Sequence, residues 1–297
     1  MSKEKVIIDR LEFISGTTTC VGYLYRVKPD VPSPCIVMGS GFGGTQDTPS
    51  MISVATAFAQ AGFNAFTFDY RNLGESDGQP RQLVSIDGQQ EDFLSAISFI
   101  KNHFAVDEKS LGVWGSSLGG GHVISVAAIE KELSAVIAQI PFNGFPKKSG
   151  RSLRDTLKLL HIIHKDKNRG EKGLPPLYIP AVGKFGELAV MVGEEVTDTI
   201  SNMQTKTWRN EVAPRALIDM MKYKPSTVAN KINSPVMVCY GEYDKETQGP
   251  QTMELIQSLS KVEVKAYPVT HFDFYKSSVR ASIIEDQIAF LKKCFSA

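Results

Sequence analysis

Three residues with the chemistry of acyl transfer follow one another along the chain: Ser117, Asp244 and His271. A serine hydroxyl is protonated at neutral pH and attacks a carbonyl only when a neighbouring base takes its proton. Histidine held in one tautomer by a carboxylate is the usual base. Ser117 has glycine two residues away on both sides, Gly115 and Gly119, a spacing that Ser116 does not share. Small residues there suit a sharp strand-to-helix turn with the serine at its tip, although the same pentapeptide also occurs as a plain flexible turn. Acyl transfer further needs donors aimed at the developing oxyanion. The Leu118 N–H, next after the serine, is one candidate. The second falls in the glycine-rich run 39–44, with Phe42 as the choice. That run does not end in the Gly-Lys-Ser/Thr of a phosphate loop, and no nucleotide or other cofactor is expected.

Each of these residues needs an element to place it. Residues 111–114 form an apolar β-type run leading into the turn, and 123–129 have helical character. Residues 236–240 read as a strand that delivers Asp244, and 262–267 as a strand that delivers His271. Glu242 is the alternative acid. Upstream, 5–14 and 19–26 read as a hairpin around residues 15–17, followed by a loop at 29–34 and a buried strand at 35–38. A helix at 50–61, a strand at 64–68, a helix at 87–104 with a cap at Asp87, and a strand at 134–140 continue a β-α rhythm. Such alternation gives a mostly parallel sheet covered on both faces, with ligands bound beyond the strands' carboxyl ends. The rhythm breaks at 144–224, where helices at 152–165 and 214–222 flank a charged loop at 168–173 and a stretch with three prolines at 174–184. It resumes with the strands at 235–240 and 262–267 and the helices at 247–260 and 279–294. The division expected is therefore 1–143 and 225–297 as core, with 144–224 as a helical cap.

With 33 Lys and Arg against 32 Asp and Glu in 297 residues, the formal charge of +1 creates no field that favours nucleic acid or an anionic membrane. No apolar run reaches the length of a membrane span, and nothing at residues 1–5 reads as an export signal. The four cysteines, Cys20, Cys35, Cys239 and Cys294, are widely spaced and mostly in apolar runs, which suits free thiols in a reducing cytoplasm. His161 and His164 share a helix face without an evident third metal ligand and read as solvated; His122 and His103 read as structural.

At this point the chain resembles the α/β-hydrolase superfamily over nearly its whole length, on residues 39–44, 69–78, 114–120, 241–244 and 271–275. Gly41-Phe42-Gly43-Gly44, the Asp69 to Gly78 loop and Gln139-Ile140-Pro141-Phe142 look like a bacterial and fungal branch. That branch includes dienelactone-hydrolase-like enzymes and polyketide thiohydrolases or acyltransferases. The resemblance implies an α/β-hydrolase fold and a cofactor-independent serine hydrolase acting on a small-molecule ester or thioester. Acyl transfer, or lactone, C–C or peptide cleavage, uses the same three residues, and a ligand-binding scaffold with slow chemistry is the reading of another class. It also implies an Asp69–Arg71 polar tie and a Trp114 that packs the turn. Ser40 departs from the family, where many relatives carry histidine; its hydroxyl can still tie the loop. Cap side chains within 174–178, with Met191, Met203, Trp208, Met220, Met221 and Tyr223, suit either an acyl chain or the cap's own core. The oligomeric state is left open.

Overall fold

Two strands at the start take their register from one turn. In the computed structural model, which describes residues 5–27, 31–145, 152–193, 196–247 and 249–296, β1 (Ile7–Ser15) and β2 (Thr18–Arg26) pair antiparallel around Gly16 at φ +57°. The start at 1–4, residues 28–30 at the beginning of the first loop, residues 146–151 and 194–195 of the expected cap, and residues 248 and 297 lie outside the described residues.

From β3 (Ser33–Gly39) the chain alternates as its patterning requires. It runs through α1 (Pro49–Gln60), β4 (Asn64–Phe68), α2 (Ile86–Lys101), β5 (Val106–Ser116), α3 (Leu118–Ala127) and β6 (Ala135–Gln139). Within 144–224 come α4 (Leu153–Glu171), the short pair β7 (Val182–Gly183) and β8 (Met191–Val192), α5 (Val196–Met203) and α6 (Ala216–Met220), and α7 (Ser226–Ala229) follows. Then β9 (Val236–Gly241), α8 (Gly249–Gln257), β10 (Val262–Tyr267), a 3-10 turn at Phe272–Tyr275 and α9 (Ser277–Phe295) complete the chain.

The main sheet has the order β1-β2-β4-β3-β5-β6-β9-β10, parallel from β4 through β10. The central strands are mostly apolar where both faces are covered, as in β5 from Leu111 to Trp114. Val37, Val113, Val136 and Val238 face the cluster that contains Phe93 and Ile97 of α2 and Val123 of α3. Their neighbours Met38, Trp114, Ile137 and Met237 face Phe58 of α1 and Ile283 and Leu291 of α9. This period-2 division needs helices on both sides. Chain order reverses at β3, which pairs with β4 on one side and β5 on the other. The crevice beyond the carboxyl ends of β3 and β5 is therefore where such a sheet binds ligands.

Local corrections have physical causes. The N-cap of α2 is Ser85, whose Oγ accepts from Gly88 N at 3.2 Å; Asp87 sits in the first turn, where its charge suits the helix dipole. The helix after the serine turn begins at Leu118, five residues earlier than its apolar run suggests, because the glycines of its first turn are packed against backbone. The segment read as a charged loop at 168–173 is mostly the last turn of α4. It ends at Gly173 (φ +66°), where Leu174 N donates to Arg169 O and Gly173 N to Gly170 O, the Schellman arrangement. Gly170 leaves room for the Arg215 guanidinium, which pairs with buried Asp166 and would have to shift for an added Cβ. Finally, Asp69 and Arg71 are not partners. Asp69 accepts from Gln46 N and Glu75 N, while Arg71 pairs with Asp92 and Glu91.

The insertion sits on the carboxyl edge of the sheet. Its Ile163, Ile179, Val182, Val212 and Leu217 cluster with Phe42, Leu118 and Phe142 of the core. Asp47, just past β3, ties it down by accepting from Thr205 Oγ1 at 2.9 Å and from Thr207 Oγ1 at 2.8 Å. Trp208 and Met220 belong to the buried interior, whereas Met221 is exposed.

Candidate active site

Ser117 is the single residue between β5 and α3, at φ +55° and ψ −116°. A non-glycine residue in that region is strained and persists only where its surroundings fix it. Here Ser117 N donates to Gln139 O at 2.9 Å, and Ser117 O accepts from Gly121 N at 3.1 Å and Phe142 N at 2.9 Å. The flanking glycines are spatial necessities. A Cβ on Gly115 would lie 2.1 Å from Gly119 O, and one on Gly119 would lie 2.4 Å from Ser40 O. Gly119→Ala is therefore expected to displace the glycine-rich loop and lower stability by ~1–3 kcal/mol. Thermal melts read that loss, and an unchanged melting temperature would contradict this packing.

Asp244 and His271 stand on neighbouring loops past β9 and β10. Asp244 Oδ1 accepts from Glu246 N and Thr247 N, each at 2.8 Å; Oδ2 accepts from Thr247 Oγ1 at 2.8 Å. The same Oδ2 lies 2.7 Å from His271 Nδ1, and His271 Nε2 lies 3.1 Å from Ser117 Oγ. Both Asp244 and His271 side chains are 3% exposed, so their charges interact with little screening. Burial opposes ionisation of Asp244, but the adjacent His271 and the Thr247 donors outweigh it and hold its pKa at about 2. Burial likewise disfavours the His271 cation, but the Asp244 carboxylate overcomes it and raises the imidazole pKa above its ordinary value. The result is a serine hydrogen-bonded to a buried imidazole whose other nitrogen faces a carboxylate. Glu242 is exposed and faces neither partner, its N–H donating to Tyr267 O. Thr247 escaped the sequence reading; its position three residues after Asp244, typical of a side chain closing a turn, was the available signal.

The glycine-rich loop lies against the serine. Ser40 Oγ donates to Gly44 O at 2.8 Å and Gly44 N to Gly41 O at 3.0 Å, with Gly43 at φ +65°. Gly39, Gly41 and Gly44 do have the Gly-x-Gly-x-x-Gly spacing of dinucleotide loops. However, the helix that follows it in sequence, α1, opens only at Pro49 and not directly from the last glycine as in those loops. Among the described residues the Phe42 N–H donates to no protein acceptor. Leu118, first in its helix, has no intrahelical acceptor for its own N–H.

A cavity of about 40 Å³ opens onto Ser117 and His271, lined also by Phe42, Tyr275 and, from the insertion, Met191 and Met203. That volume holds a few waters at most. The remaining histidines lie elsewhere. His122 is fully buried between Tyr223 and Gln89, where burial pulls its pKa down to about 3 and keeps it neutral. His103 Nδ1 accepts from Ala105 N, His161 is exposed, and His164 hydrogen-bonds Asn168 within α4. Cys20, Cys35 and Cys239 are buried free thiols, and Cys294 is a partly buried one. Among the described residues no helix is long and apolar enough to cross a membrane.

A serine between strand and helix at the carboxyl edge of a mostly parallel sheet, with an aspartate and a histidine on loops after later strands, fits an enzyme of the α/β-hydrolase class. Within that class the chain belongs to the Hydrolase_4 family, serine aminopeptidase S33, whose profile matches residues 31–271. It is 33% identical over 286 residues to the quorum-quenching protein AidA of Acinetobacter baumannii, covering 95% of this chain and 94% of that one. It is 26% identical to the polyketide transferase ATR5 of Stachybotrys chlorohalonatus, covering 93% of each, and 28% identical to the thiohydrolase apmlB of Arthrinium phaeospermum, covering 79% and 78%. Among solved structures, the α/β hydrolase GrgF of a Penicillium species superposes with a TM-score of 0.83 at 22% identity, covering 98% of this chain and all of that one.

Proposed function

We propose that the protein is a serine hydrolase that cleaves an ester or thioester through an acyl-enzyme. The observation that carries this reading is the hydrogen-bonded series Ser117–His271–Asp244. Ser117 attacks the acyl carbonyl as His271 Nε2 takes its proton. Asp244 keeps the other proton on Nδ1 and stabilises the imidazolium that forms. The Leu118 and Phe42 amides receive the oxyanion. Collapse expels the alcohol or thiol, protonated by His271, and water attacks the acyl-enzyme with His271 again as base. Residues 144–224 act as a cap. With only about 40 Å³ beneath it, Met191 and Met203 must give way before an acyl chain enters.

Acyl transfer to an alcohol or amine replaces only the final water. The relatives named polyketide transferases favour keeping it as the second reading. Product analysis with a competing acceptor alcohol separates the two.

The test is turnover of acyl esters and acyl thioesters of graded chain length against pH. The base must be neutral to accept the serine proton. Because Asp244 raises the His271 pKa above 6.5, activity should rise with pH through a midpoint above 6.5 and then level off. A midpoint below 6.5, or no acid limb, would contradict the assignment of His271 as base.

A further inference from the structure

A chain of side-chain hydrogen bonds runs from the interior behind the sheet to the rim of the cavity, and its direction is fixed at one end. The Trp114 indole can only donate, and it donates to Gln287 Oε1 at 3.1 Å. That orients the Gln287 amide, so its Nε2 donates to Gln139 Oε1 at 3.0 Å. Gln139 is oriented in turn, and its Nε2 donates to Ser116 Oγ at 3.2 Å. Ser116 Oγ has one other neighbour, the Tyr275 hydroxyl at 3.2 Å. The oxygen could accept from both neighbours, but its own proton is buried and has only Tyr275 Oη within reach, so the series is satisfied when Ser116 donates to Tyr275. The Tyr275 proton is thereby left without an acceptor in this chain of bonds.

The hydroxyl lies on the serine's side of the cavity, and the Tyr275 ring centroid is 6.4 Å from that of His271. A Cβ built on Gly41 would lie 3.2 Å from Ser117 Cβ and 3.5 Å from Tyr275 Oη, so the phenol shares Gly41's neighbourhood with the serine. Ser116, Ser117, Phe42 and Tyr275 line one cavity. Trp114, Gln139, Ser116 and Gln287 are all at most 5% exposed, too costly an arrangement of buried polar groups to leave with a free donor at its end unless that donor finds a partner. Burial pushes the Tyr275 phenol up to about 12 despite the Ser116 contact, so it carries its proton throughout the working range.

We propose that Tyr275 is a catalytic residue, its hydroxyl turned by the Trp114–Gln287–Gln139–Ser116 series to donate to the oxyanion as a third partner beside the Phe42 and Leu118 amides. The proposal rests on the serine-hydrolase reading above. It accounts for a feature that reading does not use, a polar series in a layer otherwise packed with apolar side chains. A donor relayed in this way is already aimed before substrate arrives, which is what makes such groups effective in a site that excludes water.

The test compares wild type with Tyr275→Phe and Ser116→Ala, measuring acyl-ester kinetics, affinity for an alkyl boronic acid, and thermal melts. A boronate bound to Ser117 mimics the tetrahedral state, whereas KM largely follows ground-state binding. Tyr275→Phe should lower kcat by roughly 10- to 100-fold, weaken boronate binding by a comparable factor and leave KM within about twofold. Ser116→Ala should give a smaller loss in the same direction, since Tyr275 keeps its proton but loses the group that turns it. A folded Tyr275→Phe variant with wild-type kcat and boronate affinity would overturn the proposal and leave Ser117 chemistry intact. If that variant does not fold, Ser116→Ala with wild-type kinetics overturns it instead. A wild type that neither turns over ester nor binds boronate removes the serine reading and this inference together.

Discussion

Replacing Ser117 by alanine lowers ester and thioester turnover by up to about a million-fold while the protein remains folded. The magnitude follows from the dependence of the parts on one another. Without the hydroxyl, His271 has no proton to take and Asp244 no imidazolium to stabilise, so removing the nucleophile alone costs about as much as removing all three. Folding should survive because Ser117 holds its turn through its backbone N–H and C=O, which bond Gln139, Gly121 and Phe142 and do not involve the hydroxyl. Steady-state turnover with circular dichroism of both proteins checks the two halves. A folded variant with wild-type activity would end the nucleophile assignment.

Asp244→Asn is the second large effect, a loss of roughly ten-thousand-fold in kcat. Asparagine preserves the shape of the side chain: its carbonyl can still accept from Glu246 N and Thr247 N, while its amide takes the place of Oδ2 beside Thr247 Oγ1 and His271 Nδ1. The amide group then faces His271 Nδ1 and donates to it, so the imidazole proton moves to Nε2, the atom that must accept from Ser117. Glu242→Gln is the control, because that carboxylate is exposed and touches neither His271 nor Ser117. Asp244→Asn with activity near wild type, or Glu242→Gln with the larger loss, would reassign the acid.

What could be read in the sequence was whatever local chemistry dictates. The strand runs at 64–68 and 262–267 coincide with β4 and β10, the first a fully buried apolar run and the second an edge strand in which β-formers alternate with Glu263 and Lys265. Gly115 and Gly119 mark the turn because a Cβ there would overlap backbone within a few residues or on the adjoining loop. Asp244 and His271 are each a few residues beyond their strand, which is why their shared edge could be inferred before any coordinates. Contacts made across the fold leave no such mark. Arg71 reaches Asp92 and Glu91, twenty or so residues on in α2, although Asp69 is closer in sequence. Arg215 lies over Gly170 while pairing with Asp166, and the polar series that ends at Tyr275 draws Trp114, Gln287 and Gln139 from three separate elements. In the insertion, α5 was missed altogether: the 8-residue helix has only two turns in which to show a period.

The most direct test of the central claim is intact-mass spectrometry after incubation with a fluorophosphonate, on wild type and Ser117→Ala side by side. Such a probe leaves a stable tetrahedral phosphorus on a serine only where base and oxyanion donors are assembled around it. One adduct on the wild type and none on Ser117→Ala is the result predicted. An adduct that persists in the variant, or folded wild type that takes up none, would contradict the account of Ser117, His271 and Asp244 as one hydrolytic site.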